Sequence, residues 1–193
     1  MCRKPFTSVG AAENNRCMGK QHGFTLIELL ITVGLAAVLL SFAVPSMSQF
    51  LAKRSLESAA SALATDYRFA RSEAIKRTAV VTICRSSDGA SCAGDAGSWH
   101  VGWIVFVDSD NNGAVDAGED ILRVQQALGG IRSMSNVVEA NTVHTARFRP
   151  NGIALPVNDG LVITPSVAAA TTRLLCISNQ GRVSIRAQGV TAC

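Results

Sequence analysis

The sequence predicts an α+β protein in which a long, partly transmembrane N-terminal α-helix packs on a small, mainly antiparallel β-sheet head. Two observations carry this prediction. An apolar run and then an amphipathic run occupy residues 24–77, and short strand-like segments separated by turn residues fill residues 78–193. Helix followed by a series of strands is typical of α+β proteins. The 193-residue chain is long enough for one domain with a hydrophobic core beside such a helix.

Residues 24–44 are the most apolar stretch of the chain. These 21 residues contain no Lys, Arg or Asp and a single acidic residue, Glu28. A helix of this length spans about 30 Å, the thickness of the hydrocarbon core of a bilayer. A lone carboxylate is costly in lipid and therefore indicates a function. The expected partner is an amino group, which cleavage after Gly23 would create on Phe24 of a neighbouring subunit.

Residues 45–77 predict an amphipathic continuation of the same helix. Apolar or small residues recur at spacings of four and three, which marks one helix face that packs on the head, and charged residues mostly fall on other faces. Pro45 removes one internal hydrogen bond and is expected to kink or loosen the helix. The predicted inward face is Leu56, Ala60, Leu63, Tyr67, Ala70 and Ala74, and the charged residues are Lys53, Arg54, Glu57, Asp66, Arg68 and Glu73.

Beyond Arg77 the pattern changes to that of β-strands. Short apolar segments, many of them rich in β-branched residues, alternate with loops rich in Gly, Ser and Asp, such as residues 86–98. The predicted strands are 79–84, 101–107, 121–126, 145–149, 161–164, 174–178 and 182–186.

Four groups of residues resemble a known family. Gly23-Phe24-Thr25-Leu26-Ile27-Glu28-Leu29-Leu30 follows a basic leader and resembles the class III signal of type IV pilins and type II secretion pseudopilins. Residues 70–77 before a Val-Thr-Ile-Cys strand, and residues 102–108 before a Gly/Asp-rich turn, resemble its FimT/GspH branch, as does Phe148-Arg149-Pro150-Asn151-Gly152. An ordinary secretory signal, cleaved near Ala43-Val44-Pro45-Ser46, is the alternative, but it would not account for Glu28.

The resemblance implies a pilin fold and a structural role. A prepilin peptidase would remove residues 1–23 and methylate the new amine of Phe24, and Glu28 would guide docking into a helical filament of pilins or pseudopilins. The positive leader is expected to stay cytoplasmic, so that the chain crosses the bacterial inner membrane once with its head in the periplasm. The expected function is to initiate or tip a type IV pilus or a type II secretion pseudopilus.

An enzymatic function is not expected. No Gly-rich phosphate loop and no Gly-x-Ser-x-Gly motif occurs in the sequence. After the predicted leader, the remaining histidines are His100 and His144. Cys84 and His100 would be a nucleophile and base only if Cys84 were not in a disulfide.

Four cysteines follow the predicted leader, which itself contains Cys2 and Cys17. An even number in an oxidising compartment indicates disulfides. Four cysteines allow three pairings, and proximity in sequence favours pairing of neighbours. The second of these pairs also resembles the terminal disulfide of many pilins. A zinc site is the alternative, although the spacings lack the Cys-x-x-Cys form of common zinc motifs. The favoured pairs are Cys84–Cys92 and Cys176–Cys193.

The segment 108–119 matches the ligand spacing of an EF-hand calcium loop. Its apparent flanks are strands and not helices, so the alternative is a polar hairpin loop whose Asp, Asn and Gly residues supply turn conformations. Similar turns occur across this pilin branch without a metal. No cofactor is therefore predicted, with calcium as the open alternative. The residues concerned are Asp108, Asp110, Asn112, Asp116 and Glu119.

The C-terminal part of the chain is basic. Residues 123–193 contain seven Arg, no Lys and two acidic residues. Arg182 and Arg186 are expected on one side of a strand, and so are Arg147 and Arg149, because side chains alternate. FimT-like minor pilins include DNA-binding members in natural transformation with a C-terminal Gly-Arg-x-Arg motif, from which Ser184 departs here. DNA and a neighbouring pilin are thus alternative partners of this face.

Overall fold

A computed structural model describes residues 23–92, 99–136, 145–155, 159–167, 171–187, 189–190 and 192–193. The predicted leader lies outside these ranges except for Gly23. The described secondary structure is one α-helix, one 3₁₀ turn at Trp99–Val101 and a series of short strands. Their bounds are α1 Leu26–Arg77, β1 Val81–Arg85, β2 Gly102–Val107, β3 Ile121–Gln126, β4 Ile131–Asn136, β5 Thr145–Phe148, β6 Ala154–Leu155, β7 Asp159–Pro165, β8 Arg173–Ile177 and β9 Val183–Ile185.

The chain divides into two compact units, Met1–Ser41 and Phe42–Cys193. In the first unit the described residues from Leu26 onward are helical. The second unit contains the remainder of α1 and all described strands. Position 45 lies inside α1, and the kink or loosening that the sequence predicts there stays a prediction.

Both ends of α1 have recognisable caps. At the start, the backbone N–H of Glu28 donates to Oγ1 of Thr25 at 3.3 Å, so Thr25 acts as the N-cap residue. At the end, the N–H of Ala79 donates to the carbonyl of Ala74 at 3.3 Å, and Thr78 between them has a φ of 53°. This is the hydrogen-bond pattern of a Schellman motif, with Thr at the position that usually holds Gly.

The strands form two antiparallel sheets. The first has the order β3-β2-β1-β5-β6 and the second the order β4-β7-β8-β9. All described strand pairs are antiparallel, with β1 at the centre of the first sheet between β2 and β5. The predicted α+β class with a mainly antiparallel head is confirmed.

The second half of α1 supplies the centre of the hydrophobic core. Every residue of the predicted inward face is at most 1% exposed, which confirms the amphipathic prediction. Tyr67 packs against Trp99 and meets the ring of Phe148 edge-on, with centroids 6.2 and 6.1 Å away. Residues of both sheets, including Trp103 and Ile163, join the same core. The helix therefore holds the two sheets around one apolar cluster.

The structure also contains two strands that the sequence pattern did not predict. The buried apolar residues of strand β4, Ile131 and Met134, are three positions apart because the register shifts between Ile131 and Ser133, so the strand lacks a regular period of two. Strand β6 is two residues long and therefore has no period to detect. The other strands begin and end within two residues of their predicted bounds.

Candidate functional site

The N-terminal apolar segment, defined as residues 24–42, is exposed throughout. Phe24 is 83% exposed and Leu39 is 70% exposed. Helix α1 contains an 18-residue window with a mean hydropathy of 2.4, and it is long and apolar enough to cross a membrane. An exposed apolar surface of this size requires lipid or other protein to cover it.

Glu28 is the one charged residue of this segment. Its backbone N–H bonds to Thr25, and Thr25-Leu26-Ile27-Glu28 has the spacing of a capping box. Within the ranges that the structure describes, the carboxylate itself has no hydrogen bond or ion pair. The side chain is therefore available to a group outside this chain.

Asp66 and Glu73 are buried, whereas the sequence placed the charged residues of the helix mostly on other faces. Asp66 is 7% exposed. Its Oδ2 accepts a hydrogen bond from Nε1 of Trp103 at 2.8 Å, and its Oδ1 accepts from Nη1 of Arg123 at 2.6 Å. The guanidinium of Arg123 also lies over the ring of Phe69, 3.9 Å from its centroid. Partners from β2 and β3 thus compensate the buried charge.

Glu73 occupies the last part of α1, where basic residues surround it. Nε of Arg77 lies 2.6 Å from Oε2 of Glu73, and Nζ of Lys76 lies 3.4 Å from Oε1. The hydrogen bond from Arg77 lowers the pKa of Glu73 more than burial raises it. Arg77 and Lys76 therefore balance the negative charge of Glu73 near the C-terminal end of α1.

Two disulfides join the four cysteines. Cys84 pairs with Cys92, which confirms the favoured pairing, and the structure also joins Cys176 to Cys193. Cys84 is fully buried beside Ile104 and Phe106 in a small cluster of its own. In the loop between Cys84 and Cys92, Ser91 donates to Asp88 through its hydroxyl and its N–H, which lowers the pKa of Asp88.

The acidic loop, defined as Asp108–Asp120, connects β2 to β3. Ligand oxygens of Asp108, Asp110 and Glu119 lie within 4.8 Å of one another, so three of the five predicted calcium residues converge. The loop's own N–H groups already bond to them, since Ser109 N donates to Glu119 Oε1 at 2.7 Å and Asn112 N to Asp108 Oδ1 at 3.0 Å. The side-chain amide of Asn112 similarly donates to Asp110 and to Asp116. These bonds are those of a turn that its Asp and Asn side chains stabilise. The absence of a cofactor stays a prediction, with calcium as the alternative.

The four arginines considered for DNA lie on two different sheets. Arg147 is in β5, where its Nη1 donates to the carbonyl of Asn111 in the acidic loop at 2.8 Å, and Arg149 follows the end of β5. Arg182 and Arg186 flank β9 in the other sheet. DNA binding by these residues stays a prediction.

Arg182 and Arg186 do share one surface. With Ser184 between them, they line a groove of about 770 Å³ beside the Cys176–Cys193 disulfide. Their common orientation agrees with the alternation expected along a strand.

Gly181, just before Arg182, has a structural reason to be glycine. Its φ is +70°, and a Cβ built there would lie 2.5 Å from the carbonyl oxygen of Gly152 and 2.9 Å from Nε of Arg71. The same Nε donates to the Gly152 carbonyl at 3.0 Å. Arg71 of α1 therefore bonds to the turn that precedes β6 and lies against the turn that precedes β9.

Comparisons with known proteins agree with this architecture. A family model described as "Type II transport protein GspH" matches residues 59–181, and one described as "Prokaryotic N-terminal methylation motif" matches residues 18–44. The pilin-like protein PilA1 of Thermus thermophilus is 33% identical over 168 residues, which cover 86% of this chain and 98% of the relative.

Solved structures establish the fold. The type IV minor pilin FimU of Pseudomonas aeruginosa PAO1 superimposes with a TM-score of 0.55 at 23% identity, covering 72% of this chain and 92% of FimU. In a second crystal form the TM-score is 0.52 at the same identity, and the coverage is 68% and 93%.

An exposed apolar helix that begins at a methylation motif and continues into the core of a two-sheet head defines the pilin-like class of proteins. Within this class, the chain belongs to the GspH family and is a minor pilin or pseudopilin. The family consists of structural subunits. The sequence-based assignment to the FimT/GspH branch is confirmed.

Proposed function

We propose that this minor pilin or pseudopilin helps to initiate a type IV pilus or a type II secretion pseudopilus and occupies a place at or near the tip. The observation that carries the proposal is the N-terminal apolar segment, which is exposed over its whole length and interrupted by one carboxylate. Burial of apolar surface is the main driving force for protein association. Lateral packing among neighbouring helices would cover this segment once it leaves the lipid.

Maturation is the first step of the proposal. A prepilin peptidase removes residues 1–23 and methylates the amine of Phe24, while the helix anchors the chain in the inner membrane with the head in the periplasm. The match of the methylation-motif model to residues 18–44 supports this step. The expected product in cells that have the peptidase is a chain that begins at Phe24. The proposal assigns the protein no catalytic role.

Docking is the second step. The carboxylate of Glu28 pairs with the Phe24 amine of an adjacent subunit, because an uncompensated charge in a low-dielectric surrounding is costly. Its lack of a partner in the described part of its own chain supports this assignment. The pair would form only when two N-termini align, so it would set the axial position of each incoming subunit.

The Glu28→Ala variant tests the docking step. We expect the variant to insert into the membrane and to lose its leader, but to be absent from filaments sheared from cells. Thr32→Ala is the matched control, because Thr32 is a polar residue of the same segment whose hydroxyl bonds only to the carbonyl of Leu29. Normal incorporation of Glu28→Ala would remove the proposed role of the carboxylate.

Mass spectrometry of the mature protein tests the maturation step independently. An intact precursor, or a new N-terminus beyond Val44, in cells that have the peptidase would overturn it. The neighbouring genes then show which assembly the protein belongs to. Minor pilin genes indicate a type IV pilus, and secretion-channel genes indicate a type II secretion pseudopilus.

A further inference from the structure

Three arginines converge on a cleft between α1 and β9. Arg68 and Arg71 extend from the helix, and Arg182 lies just before the strand. The cleft has a volume of about 410 Å³. We call these three arginines and the space between them the arginine cleft. Its remaining walls are Ser72, Ile75, Gly181 and Val183.

Backbone groups hold two of the three guanidinium groups in place. Nε of Arg71 donates to the carbonyl oxygen of Gly152 at 3.0 Å. Gly181 leaves room for this side chain, because a Cβ there would lie 2.9 Å from the same Nε. Arg68 donates to the carbonyl oxygen of Val183 at 3.4 Å. A guanidinium that is already positioned loses less freedom when its other N–H groups bind a ligand.

The positive charge of the arginine cleft is not balanced by the described part of the head, where no carboxylate forms an ion pair with any of the three arginines. Three like charges in one cleft repel one another, so an anion bound among them relieves this repulsion. Planar guanidinium groups favour two-pronged binding of a carboxylate. By contrast, three other arginines have a carboxylate of the same chain as partner: Arg77 has Glu73, Arg123 has Asp66 and Arg173 has Glu57.

The shape of the cleft favours a single anionic side chain. A cavity of about 410 Å³ accommodates the end of a side chain, whereas an anionic polymer needs positive charges spaced along its length. Ile75, which is 49% exposed, and Val183 add an apolar wall beside the arginines. An Asp or Glu next to an apolar residue on a protein surface has the matching chemistry.

The helix face that leads to the cleft is open to another chain. Ser58, Ser61 and Thr65 precede Arg68 at helical spacings of three and four, and all of them are exposed. The hydroxyl of Thr65 donates to the carbonyl of Ser61 within the same helix. Side chains as small as these let the backbone of a neighbouring subunit approach closely. A subunit seated on this face would reach the cleft.

We propose that the arginine cleft binds an Asp or Glu side chain on the head of a different pilin or pseudopilin subunit. The family assembles with other pilins in a filament. The inference rests on the proposed function, because a minor subunit at or near the tip has other pilins as its neighbours. Glu28 sets the axial position through the N-termini, whereas the cleft selects which head lies alongside, since a head without the carboxylate leaves the arginines unpaired.

Incorporation of the full chain into filaments of its own cells tests the contact. Arg182→Glu places a carboxylate opposite the incoming carboxylate. We therefore expect the fraction of the membrane pool that enters sheared filaments to fall at least about tenfold. Leader removal and the melting temperature of the purified chain should stay those of the wild type, because Arg182 is exposed. Arg68 and Arg71 keep their bonds to the backbone in this variant.

Arg186→Glu is the matched control. Arg186 is an exposed arginine just after β9, and it lines the neighbouring groove but not the arginine cleft. The control should enter filaments as the wild type does. Normal incorporation of Arg182→Glu, or an equal loss in Arg186→Glu, would overturn the proposal.

Exchange of charge identifies the partner. Each Asp and Glu on the heads of the co-assembled pilins is changed singly to Lys in cells that carry Arg182→Glu. At least one of these substitutions should restore incorporation, because it recreates an ion pair of opposite polarity. The same substitution should not restore Glu28→Ala. Lack of rescue by every one of them would contradict the inference, whereas normal incorporation of Glu28→Ala overturns the docking step alone.

A gel shift with duplex DNA, run with the full mature chain in detergent, addresses the other occupant. If Arg182→Glu lowered the affinity for DNA and still entered filaments normally, the cleft would be a nucleic-acid surface and the proposal would be wrong. Unchanged DNA binding together with loss from filaments supports the contact between subunits.

Discussion

The two halves of α1 belong to one continuous helix but have opposite surroundings. From Leu26 to Ser41 every described side chain is exposed, although most are apolar. From Ala52 to Arg77 the inward face is buried, and even Asp66 and Glu73 have partners. In the second half, the rest of the chain covers the apolar residues and pairs with the buried charges. The apolar surface of the first half needs lipid or other subunits to cover it.

One continuous helix can therefore have one half suited to lipid or to other subunits and the other half suited to the core of its own chain. Helical backbone bonds are made locally in both halves, so the hydrogen bonding of the backbone does not distinguish them. The two halves differ in their contacts with distant parts of the chain. In the second half, for example, Trp103 and Arg123 donate hydrogen bonds to Asp66.

Truncation of one leucine in each half gives the largest contrast. Leu63 is fully buried, whereas Leu35 is 62% exposed. Leu63→Ala should lower the free energy of unfolding of the head by about 2–5 kcal/mol, and the matched Leu35→Ala should change it by less than about 0.5 kcal/mol. Denaturant titration of the full chain in detergent, followed by the fluorescence of buried Trp99 and Trp103, measures both. Equal costs would contradict the division of the helix.

Removal of the Asp66 carboxylate should have the next largest effect. Asp66→Ala leaves the Nε1–H of Trp103 without an acceptor, which should cost about 1–3 kcal/mol of unfolding free energy. Asp66→Asn keeps an acceptor and loses the pairing with half-exposed Arg123, which should cost about 0–1 kcal/mol. The same titration measures the difference. If both variants were equally unstable, the ion pair and not the tryptophan bond would dominate.

Acid should weaken the head through Glu73. Its folded pKa lies below the usual value of 4.5, mainly because Arg77 donates a hydrogen bond to its carboxylate. Ionised Glu73 therefore stabilises the fold above pH 4.5, and this contribution is lost as the pH falls through the lowered pKa. Unfolding titrations between about pH 7 and about pH 3 should show a shallower decline for Glu73→Gln than for the wild type. An identical acid decline in the two proteins would contradict this assignment.

A glycine at the end of α1 should stabilise the head. Thr78 has a φ of 53°, which is unfavourable for a β-branched residue. Thr78→Gly should raise the free energy of unfolding by about 0.5–1 kcal/mol, because relief of strain exceeds the added entropy of the unfolded chain. Thr65→Gly, at an exposed position inside the helix, is the control and should destabilise. The same sign for both variants would show that the positive φ of Thr78 carries no cost.

Calcium should have the smallest effect on the head. The carboxylates of the acidic loop already accept hydrogen bonds from its own N–H groups. We therefore expect about 1 mM calcium to leave the melting temperature of the head within about 1 °C of its value in chelator. A saturable rise that disappears in Glu119→Gln would contradict this prediction and establish a metal site.

The sequence predicts the local features of this protein well. The spacing of Leu56, Leu63 and Tyr67 locates the buried face of α1, because the periodicity of a helix depends only on neighbouring residues. Segments that alternate or contain many β-branched residues locate most strands for the same reason. The assignment to the family follows from the short motif around Gly23 and Glu28 and from three further segments of the head.

Features that depend on distant segments were not predicted. Asp66 meets Trp103 and Arg123, which lie 37 and 57 residues further along the chain, so no local pattern shows that its carboxylate is buried. A cleft of about 410 Å³ brings residues of α1 together with Arg182 near the C-terminus. The sequence indicated that residues 123–193 are basic, but only the fold brings Arg68 and Arg71 to Arg182.

The contacts between α1 and the last strands impose an order on how the protein is completed. Arg68 bonds to the carbonyl of Val183, 115 residues away, and Arg173 bonds to Glu57, 116 residues away. Loop closure over such distances makes folding slow compared with a bundle of local contacts. The inward face of α1 is fully covered only after the final strands have been synthesised and have packed against it. Until those strands arrive, part of the inward face of α1 is uncovered and open to contacts with other chains.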